Sequence, residues 1–425
     1  MLRIMTLGNL QWSLLVELSR KYGDPFAMPS MFGTVVVAVS PEGNREIFSA
    51  DPESLGNSIR DAMEFVLGRS VLLTEGAEHR RARKLLSPPF HGQRMRAYGK
   101  LMFETALRRT NDWEVGHPFK ALDMMLVITL DMIIEAVFGV GKDNPRVHAF
   151  REQLVSLIEG FHPMLFVKFF RRRIFPPWVR FQRTYEALRQ QIFALIAESR
   201  PRLEGREDIL SLLIKARDEQ GQGLSDQEIM DQLIAILFGG HDTTAVTLAW
   251  SLYLLHRNPE ALSRLRAELA GLGRQPEPEA ITSLPFLEAV LNETLRLYPP
   301  VELVNRKLLR PMTLLGWELP AGTVVAAGGP ATHRLESLYP EPDKFKPERF
   351  LTRTYSPFEF MPWGGGNRRC LGAAFAMYEM KLVLAAVLPR CELRLLEKGN
   401  VTLAPRAGTW GPKSGIRMEL IARHS

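Results

Sequence analysis

Apolar and polar positions follow a helical rhythm over most of this chain, and its clearest stretch begins at Ser225. The run Ser225-Asp226-Gln227-Glu228 is a capping box, in which serine and glutamate each satisfy the other's backbone N–H at a helix start. Apolar residues then recur without a break to Asn258, just before Pro259. The pattern predicts a helix over 225–258, roughly 50 Å long at 1.5 Å per residue, enough for a central strut. A second apolar helix is predicted after Cys370, through Leu371, Ala374, Phe375, Met377, Tyr378, Met380, Leu382, Val383 and Leu384, and it stops at Pro389. Strand patterns are fewer. Residues 34–40 read as a strand, and residues 312–327 read as a second β region with a turn at Gly316. The sum is a mainly α chain with small sheets near each end, with no internal repeat, low-complexity tract or flexible linker.

Composition narrows this picture. A length of 425 residues admits two or three domains or one large one, and 46% apolar residues suffice for a large core. The two cysteines, Cys370 and Cys391, argue against a disulfide framework and fit a reducing cytosol. The net charge is +7, but the runs Arg80-Arg81 and Arg171-Arg172-Arg173 are short and no nucleic-acid-binding motif accompanies them. An acidic protein partner is therefore preferred to nucleic acid. The run Leu10–Leu18 contains Glu17 and is followed by Arg20 and Lys21, too short and too charged to cross a membrane. It also lacks the small-residue cleavage site of a signal peptide. The expectation is a soluble cytoplasmic protein with no transmembrane anchor.

Two stretches carry candidate chemistry. In Trp363-Gly364-Gly365-Gly366-Asn367-Arg368-Arg369-Cys370-Leu371-Gly372, glycines leave room for a tight turn and for a flat ligand. A cysteine delivered to a helix N-terminus has its thiolate stabilised, as a metal ligand or a nucleophile. The bland alternative is a structural cysteine beside a glycine turn. Within the long predicted helix stands Gly239-Gly240-His241-Asp242-Thr243-Thr244. Each glycine costs about 1 kcal/mol against alanine there. Either a ligand approaches closely, with Asp242 and Thr243 beside it, or two helices pack tightly at a small-residue patch.

The cysteine loop resembles the haem-thiolate loop of the cytochrome P-450 superfamily, Phe-x-x-Gly-x-Arg-x-Cys-x-Gly. Gly366, Arg368, Cys370 and Gly372 match in register, while Trp363 stands where the family usually has Phe. The 239–244 segment is similar to the family's Ala/Gly-Gly-x-Asp/Glu-Thr-Thr/Ser. Glu293-Thr294-Leu295-Arg296 and Pro347-Glu348-Arg349-Phe350 match two further signatures, and the resemblance spans roughly residues 20–422. It implies a triangular helical prism formed as one domain over residues 1–425, with haem b between the central and cysteine-bearing helices. Cys370 would be the proximal iron ligand, and Asp242 with Thr243 the acid–alcohol pair that delivers protons during dioxygen activation. Glu293, Arg296 and Arg349 would form a buried charge network. His79, Arg83, Arg306, His333 and Arg368 would meet the propionates, and Gly239, Gly240, Trp363, Gly364 and Gly372 would lie against the cofactor. The Trp363 indole would either bond the sulfur or pack as a larger Phe.

Carried over in the same way, Leu237, Phe238, Val301, Leu303, Val304 and Trp410 would line an apolar substrate pocket. Residues of about 146–200 would form a lid, with Phe161, Phe166, Phe169, Phe170, Phe175 and Trp178 among its aromatics. The implied activity is O2-dependent hydroxylation or epoxidation of a fatty acid, terpenoid, steroid-like molecule or polyketide by a monomer. Alternatives are desaturation, coupling or rearrangement, or haem binding without turnover. Electrons would come from a ferredoxin or flavodoxin with its reductase, docked on a basic face of Arg80, Arg81, Lys84 and Arg369. Arg60 either anchors a substrate carboxylate or faces solvent.

Overall fold

The computed structural model describes residues 10–30, 33–90, 92–139, 145–160, 163–273, 276–406 and 408–424. Two compact units share the chain: Met1–Ser58, Ala106–Met125 and Thr243–Ser425 make one, and Ile59–Thr105 and Leu126–Asp242 make the other. The helices Gln93–Asn111, Ala121–Phe138 and Asp226–Arg257 each contribute residues to both.

Every described strand belongs to the first unit. Its largest sheet has the order Phe26–Ser30, Gly33–Ala38, Val324–Ala327, Val304–Leu308, Leu55–Gly56. The Gly33–Ala38 and Val324–Ala327 strands run parallel, Val35 opposite Val324 and Ala38 opposite Ala327, and the other pairings are antiparallel. Both faces are covered. Ile47, Phe48, Leu308, Val325 and Met361 pack on one side, and Leu15, Phe26, Val35, Val37 and Ala326 on the other. This explains why the sequence reads Val-Val-Val-Ala-Val rather than alternating, because a strand buried on both faces needs apolar residues throughout. The expected turn at Gly316 joins Met312–Leu314 to Trp317–Leu319, with positive φ at both Leu315 and Gly316. The strands Pro118–Lys120, Cys391–Leu395 and Arg417–Arg423, and the hairpin Leu403–Arg406/Thr409–Pro412, were not anticipated from sequence.

In the second unit the described elements are helical. The capping box forms as read: Ser225 N–H donates to Glu228 Oε2 at 2.7 Å and Glu228 N–H to Ser225 Oγ at 3.2 Å. The helix runs Asp226–Arg257, and among the described residues it alone is long and apolar enough to cross a membrane. Most of that apolar window is buried inside the protein, as a core helix requires. Asp231 and Gln232 on it accept hydrogen bonds from the backbone N–H groups of Arg69 and Val71, both at 2.8 Å. Gly68, with φ +52°, passes so close that a Cβ there would sit 2.5 Å from the Asp231 carboxylate. In the 146–200 region, Phe65 meets Trp178 and Phe181 edge-on, and Phe169, Phe170 and Phe175 form a mutual cluster. Phe161 lies outside the described residues.

Candidate functional site

In the first unit the cysteine loop is shaped by three glycines that do different work. Gly364 and Gly366 both have φ +65°, a left-handed conformation that favours glycine. A Cβ on Gly366 would lie 2.5 Å from the Phe48 carbonyl oxygen, and one on Gly365 would collide with the Phe48 ring. These two glycines therefore accommodate protein, the end of the helix Pro41–Ser49, rather than a flat ligand. That helix is fixed by Ser40, whose Oγ accepts from Gly43 N–H at 3.3 Å, and by Pro41 at its first position. Asn44 on it donates to Thr332 Oγ1 at 3.0 Å and to the Phe358 carbonyl at 3.1 Å, bracing the approach to the loop. Neither Asn44 nor Phe48 carries a sequence signal for this, since each acts on residues hundreds of positions away.

Cys370 closes the loop by donating its N–H to the Trp363 carbonyl at 2.8 Å. The indole of Trp363 is half-buried, and the backbone hydrogen bond ties these two residues through the main chain. The helix itself is Ala373–Val387, and Gly372 at its N-cap supplies no side-chain cap. Cys370 thus precedes the helix by one loop turn instead of sitting in it. The helix amides nonetheless remain uncapped by side chains on that side. Cys370 is exposed, whereas Cys391 is buried and its thiol pKa is pushed up by that burial. Of the two thiols only Cys370 is open to a ligand.

Arg306, on the strand Val304–Leu308, is nine-tenths buried, and its guanidinium donates to the Asn305 carbonyl at 2.8 Å. It forms no ion pair with a carboxylate among the described residues. Burial first, and the charge of Arg368 second, lower its pKa to about 10. A buried cation beside another cation needs an anion, and a propionate would supply one. Nearby in the chain, Glu293 is wholly buried and fully engaged: Oε2 accepts from Arg296 Nε at 2.7 Å, and Oε1 from Arg296 Nη2 at 2.8 Å, Lys346 N–H at 2.9 Å and Arg349 Nε at 3.0 Å. Arg296 also donates to the His333 carbonyl at 2.7 Å. His333 is buried, and its Nε2 accepts from Met361 N–H at 3.0 Å. That ring nitrogen is committed to holding the chain before the cysteine loop, which leaves it no role at a propionate through Nε2.

Val301 is exposed, and Leu303, Val304 and Trp410 are half-buried. Trp410 is drawn to this segment by its N–H, which donates to the Pro300 carbonyl at 3.0 Å.

In the second unit, described by itself, the long helix carries the segment that ends at Asp242. Gly239 is exposed although its helix is mostly buried, and nothing lies within 4 Å of where its Cβ would be. Gly240 instead packs on Ile133, whose Cδ1 would be 3.3 Å from an added Cβ. One glycine thus opens space and the other serves helix packing. At 100° per residue, Asp242 and Thr243 follow Gly239 at i+3 and i+4 and share its face. Leu237 is two positions earlier, about 200° away, and is wholly buried. Its side chain packs in the buried part of the helix, on a different side from Gly239. Phe238 is half-buried.

His79 and Arg83 lie one turn apart on Gly76–Leu86, the former buried and the latter half-buried. Arg81 on the same helix donates to Asp218 at 2.7 Å and to Glu228 at 2.9 Å, and Lys84 pairs with Glu219. Two of the four cations assigned to a basic docking face are therefore already matched by acids. Arg60 pairs with Glu75 at 3.7 Å.

A family model described as Cytochrome P450 matches residues 1–415. The chain belongs to the cytochrome P450 family. Among curated relatives, it is 36% identical over 413 residues to "Putative cytochrome P450 137" of Mycobacterium tuberculosis, covering 93% of this chain and 84% of that one. It is also 36% identical over 431 residues to "Putative cytochrome P450 135A1" of the same species, covering 98% and 92%. Among solved structures, "Retinoic acid bound cyanobacterial CYP120A1" aligns with TM-score 0.84 and 27% identity, over 95% of this chain and 93% of that one. The haem domain of cytochrome P450DA aligns with TM-score 0.87 at 23% identity, over 98% and 94%, a likeness of fold. The mainly helical architecture with small sheets is thus the P450 fold, and the protein is a P450 monooxygenase whose cofactor is protoporphyrin IX haem.

The residues present fit that cofactor. Among the described residues no cluster of three His, Cys, Asp or Glu could hold a bare metal ion. An iron carried in a porphyrin needs one protein ligand, an exposed thiolate, and cations for its carboxylates.

Proposed function

We propose that this P450 inserts one oxygen atom from O2 into a lipophilic small molecule, with electrons from a separate ferredoxin or flavodoxin and its reductase. The observation that carries the reading is the cysteine loop. It offers an exposed thiol in the same unit as Arg306, a buried cation without an acidic partner among the described residues. Bound there, the haem would supply dioxygen activation favoured by thiolate donation. The chain's part is to hold the thiolate by the Cys370–Trp363 backbone bond and to neutralise the propionates with Arg306 and Arg368. His79 and Arg83 are the further propionate candidates on family resemblance. The Asp242 carboxyl and Thr243 hydroxyl, neighbours on one helix face, would hold water and pass protons along it.

A lipophilic substrate is supported by the apolar side chains of Val301, Leu303, Val304 and Trp410, which remain exposed or half-exposed. The cyanobacterial relative CYP120A1 was solved with retinoic acid bound, which makes an apolar carboxylic acid a sensible early compound here. Two cysteines outside any disulfide accord with a cytoplasmic location.

The test has three readings on the purified haem protein. The reduced protein gives a thiolate-type carbon-monoxide difference spectrum that Cys370→Ala abolishes. Soret titrations respond to lipid, terpenoid or polyketide compounds; shifts with polar compounds alone overturn the substrate class. Product forms with a ferredoxin–reductase chain; turnover driven by peroxide but never by that chain overturns the electron source.

A further inference from the structure

The stretch from Val167 to Arg183, in the second unit, carries a surface that the oxidative chemistry does not require. Its cations are Lys168, Arg171, Arg172, Arg173, Arg180 and Arg183, and it contains no Asp or Glu; the first acid to follow is Glu186. Large apolar side chains stand in solvent among these cations. Ile174 is 75% exposed, Phe169 51% and Val167 48%. Single exposed apolar residues are ordinary, but three within eight positions, set in an acid-free cationic stretch, are not.

The geometry gathers them on one side. The turn Lys168–Phe170 and the bend Arg172–Phe175, closed by Phe175 N–H to the Arg172 carbonyl at 2.9 Å, form a compact tip held by the Phe169–Phe170–Phe175 ring cluster. From there the helix Pro176–Ser199 sends Pro176, Val179, Arg180 and Arg183 outward as a single stripe, all exposed, while Phe181 turns inward and is buried. Two cations are spoken for. Arg171 lies over the Phe65 ring and donates to the carbonyls of Leu165 and Ala62, and Lys168 pairs with Asp61 at 3.3 Å. Arg173, Arg180 and Arg183 form no ion pair with described residues. Arg172 stacks over Phe169 at 4.7 Å and also lacks an acidic partner among them.

We propose that this face docks reversibly on an anionic lipid bilayer, Phe169 and Ile174 entering the headgroup boundary while Arg172, Arg173, Arg180 and Arg183 meet lipid phosphates. Apolar tips ringed by arginines match a surface that is apolar within and negatively charged at its edge. An acidic protein would match the charge but not three solvated aliphatic and aromatic side chains without a complementary apolar patch. The docking would be peripheral, and it stands whatever the substrate proves to be.

The test is co-sedimentation of the purified holoprotein with vesicles of phosphatidylcholine alone or mixed with phosphatidylglycerol. The mixed vesicles retain the protein, neutral ones do so weakly, and high salt releases it. Each arginine replaced by glutamine lowers partitioning roughly fivefold, so the quadruple variant R172Q/R173Q/R180Q/R183Q falls by about 10²–10³-fold. Ile174→Ser, and Phe169→Ser with it, weaken binding at unchanged charge. Circular dichroism and the Soret spectrum are recorded for each variant and stay as in the parent; Ile174→Ser, which leaves the Phe169–Phe170–Phe175 cluster intact, separates loss of the apolar contact from loosening of the tip. Three results would overturn the proposal: no retention on anionic vesicles, retention unaltered in both sets of variants, or self-association in solution that the Phe169 and Ile174 substitutions abolish.

Discussion

Alanine at position 239 and alanine at position 240 are expected to part company. Both remove a helix-interior glycine, worth about 1 kcal/mol of stability where the new methyl fits. At 239 the methyl enters open space, so Gly239→Ala raises the melting temperature of the haem-free protein while weakening ligand-induced Soret shifts. At 240 the methyl meets Ile133 at 3.3 Å, and the propensity gain is offset by the displaced side chain. Thermal unfolding of the pair measures the difference. Glu293 is the opposite kind of residue, since four donors converge on a wholly buried carboxylate. Glu293→Ala leaves Arg296 buried and uncompensated. The expected loss is about 3–5 kcal/mol in denaturant unfolding, far above that of an exposed pair such as Arg264–Glu348.

The long helix shows how much an element can declare in advance. Its start at Ser225–Glu228 and its stop before Pro259 were legible because capping and proline punctuation act within three or four residues. Ser225→Ala is expected to cost about 1 kcal/mol through the lost cap. Glu228→Gln also breaks the 2.9 Å pair with Arg81, so the two variants differ in salt dependence: only the second shows a stability deficit that shrinks as ionic strength rises. Chemical denaturation at low and high salt distinguishes them. The cysteine-bearing helix was legible in its apolar run but not in its start, which falls at Ala373 after an extra loop turn. The strands near the C-terminus went unread because each has three to seven residues and gains its identity from a partner, as Pro118–Lys120 does from Arg417–Glu419.

Across the molecule, two buried titratable groups tilt stability with pH in opposite senses. Burial, then the charges of Arg296 and Arg334, push the His333 pKa from 6.5 to about 3. The unfolded chain takes up that proton below pH 6.5 and the folded one does not, so this stability is present above pH 6.5 and is lost as pH falls toward 3. The loss is about 2 kcal/mol by pH 5. His333→Gln should flatten the decline between pH 6.5 and 5 in melting temperatures. Glu379, on the cysteine-bearing helix, is wholly buried, and no described residue hydrogen-bonds either oxygen. Burial raises its pKa well above 4.5. Its folded form keeps a proton that the unfolded form releases above pH 4.5, so its contribution is present below that pH and is lost as pH rises. Glu379→Gln should match the parent at pH 4 and exceed it in stability at pH 7.

Read alone, the chain declared its helical class, its capped central helix, the cysteine loop and the order of the charged motifs. Each of these is written in neighbours a few residues apart, where sterics and hydrogen bonding are decided locally. Folding settled other matters. Gly365 and Gly366 answer to Phe48, Leu237 is buried, His333 props the loop at Met361, and Arg81 is neutralised by acids 137 and 147 positions away. Those outcomes depend on which distant surfaces meet, and long-range contact leaves no periodic trace in the residues that make it.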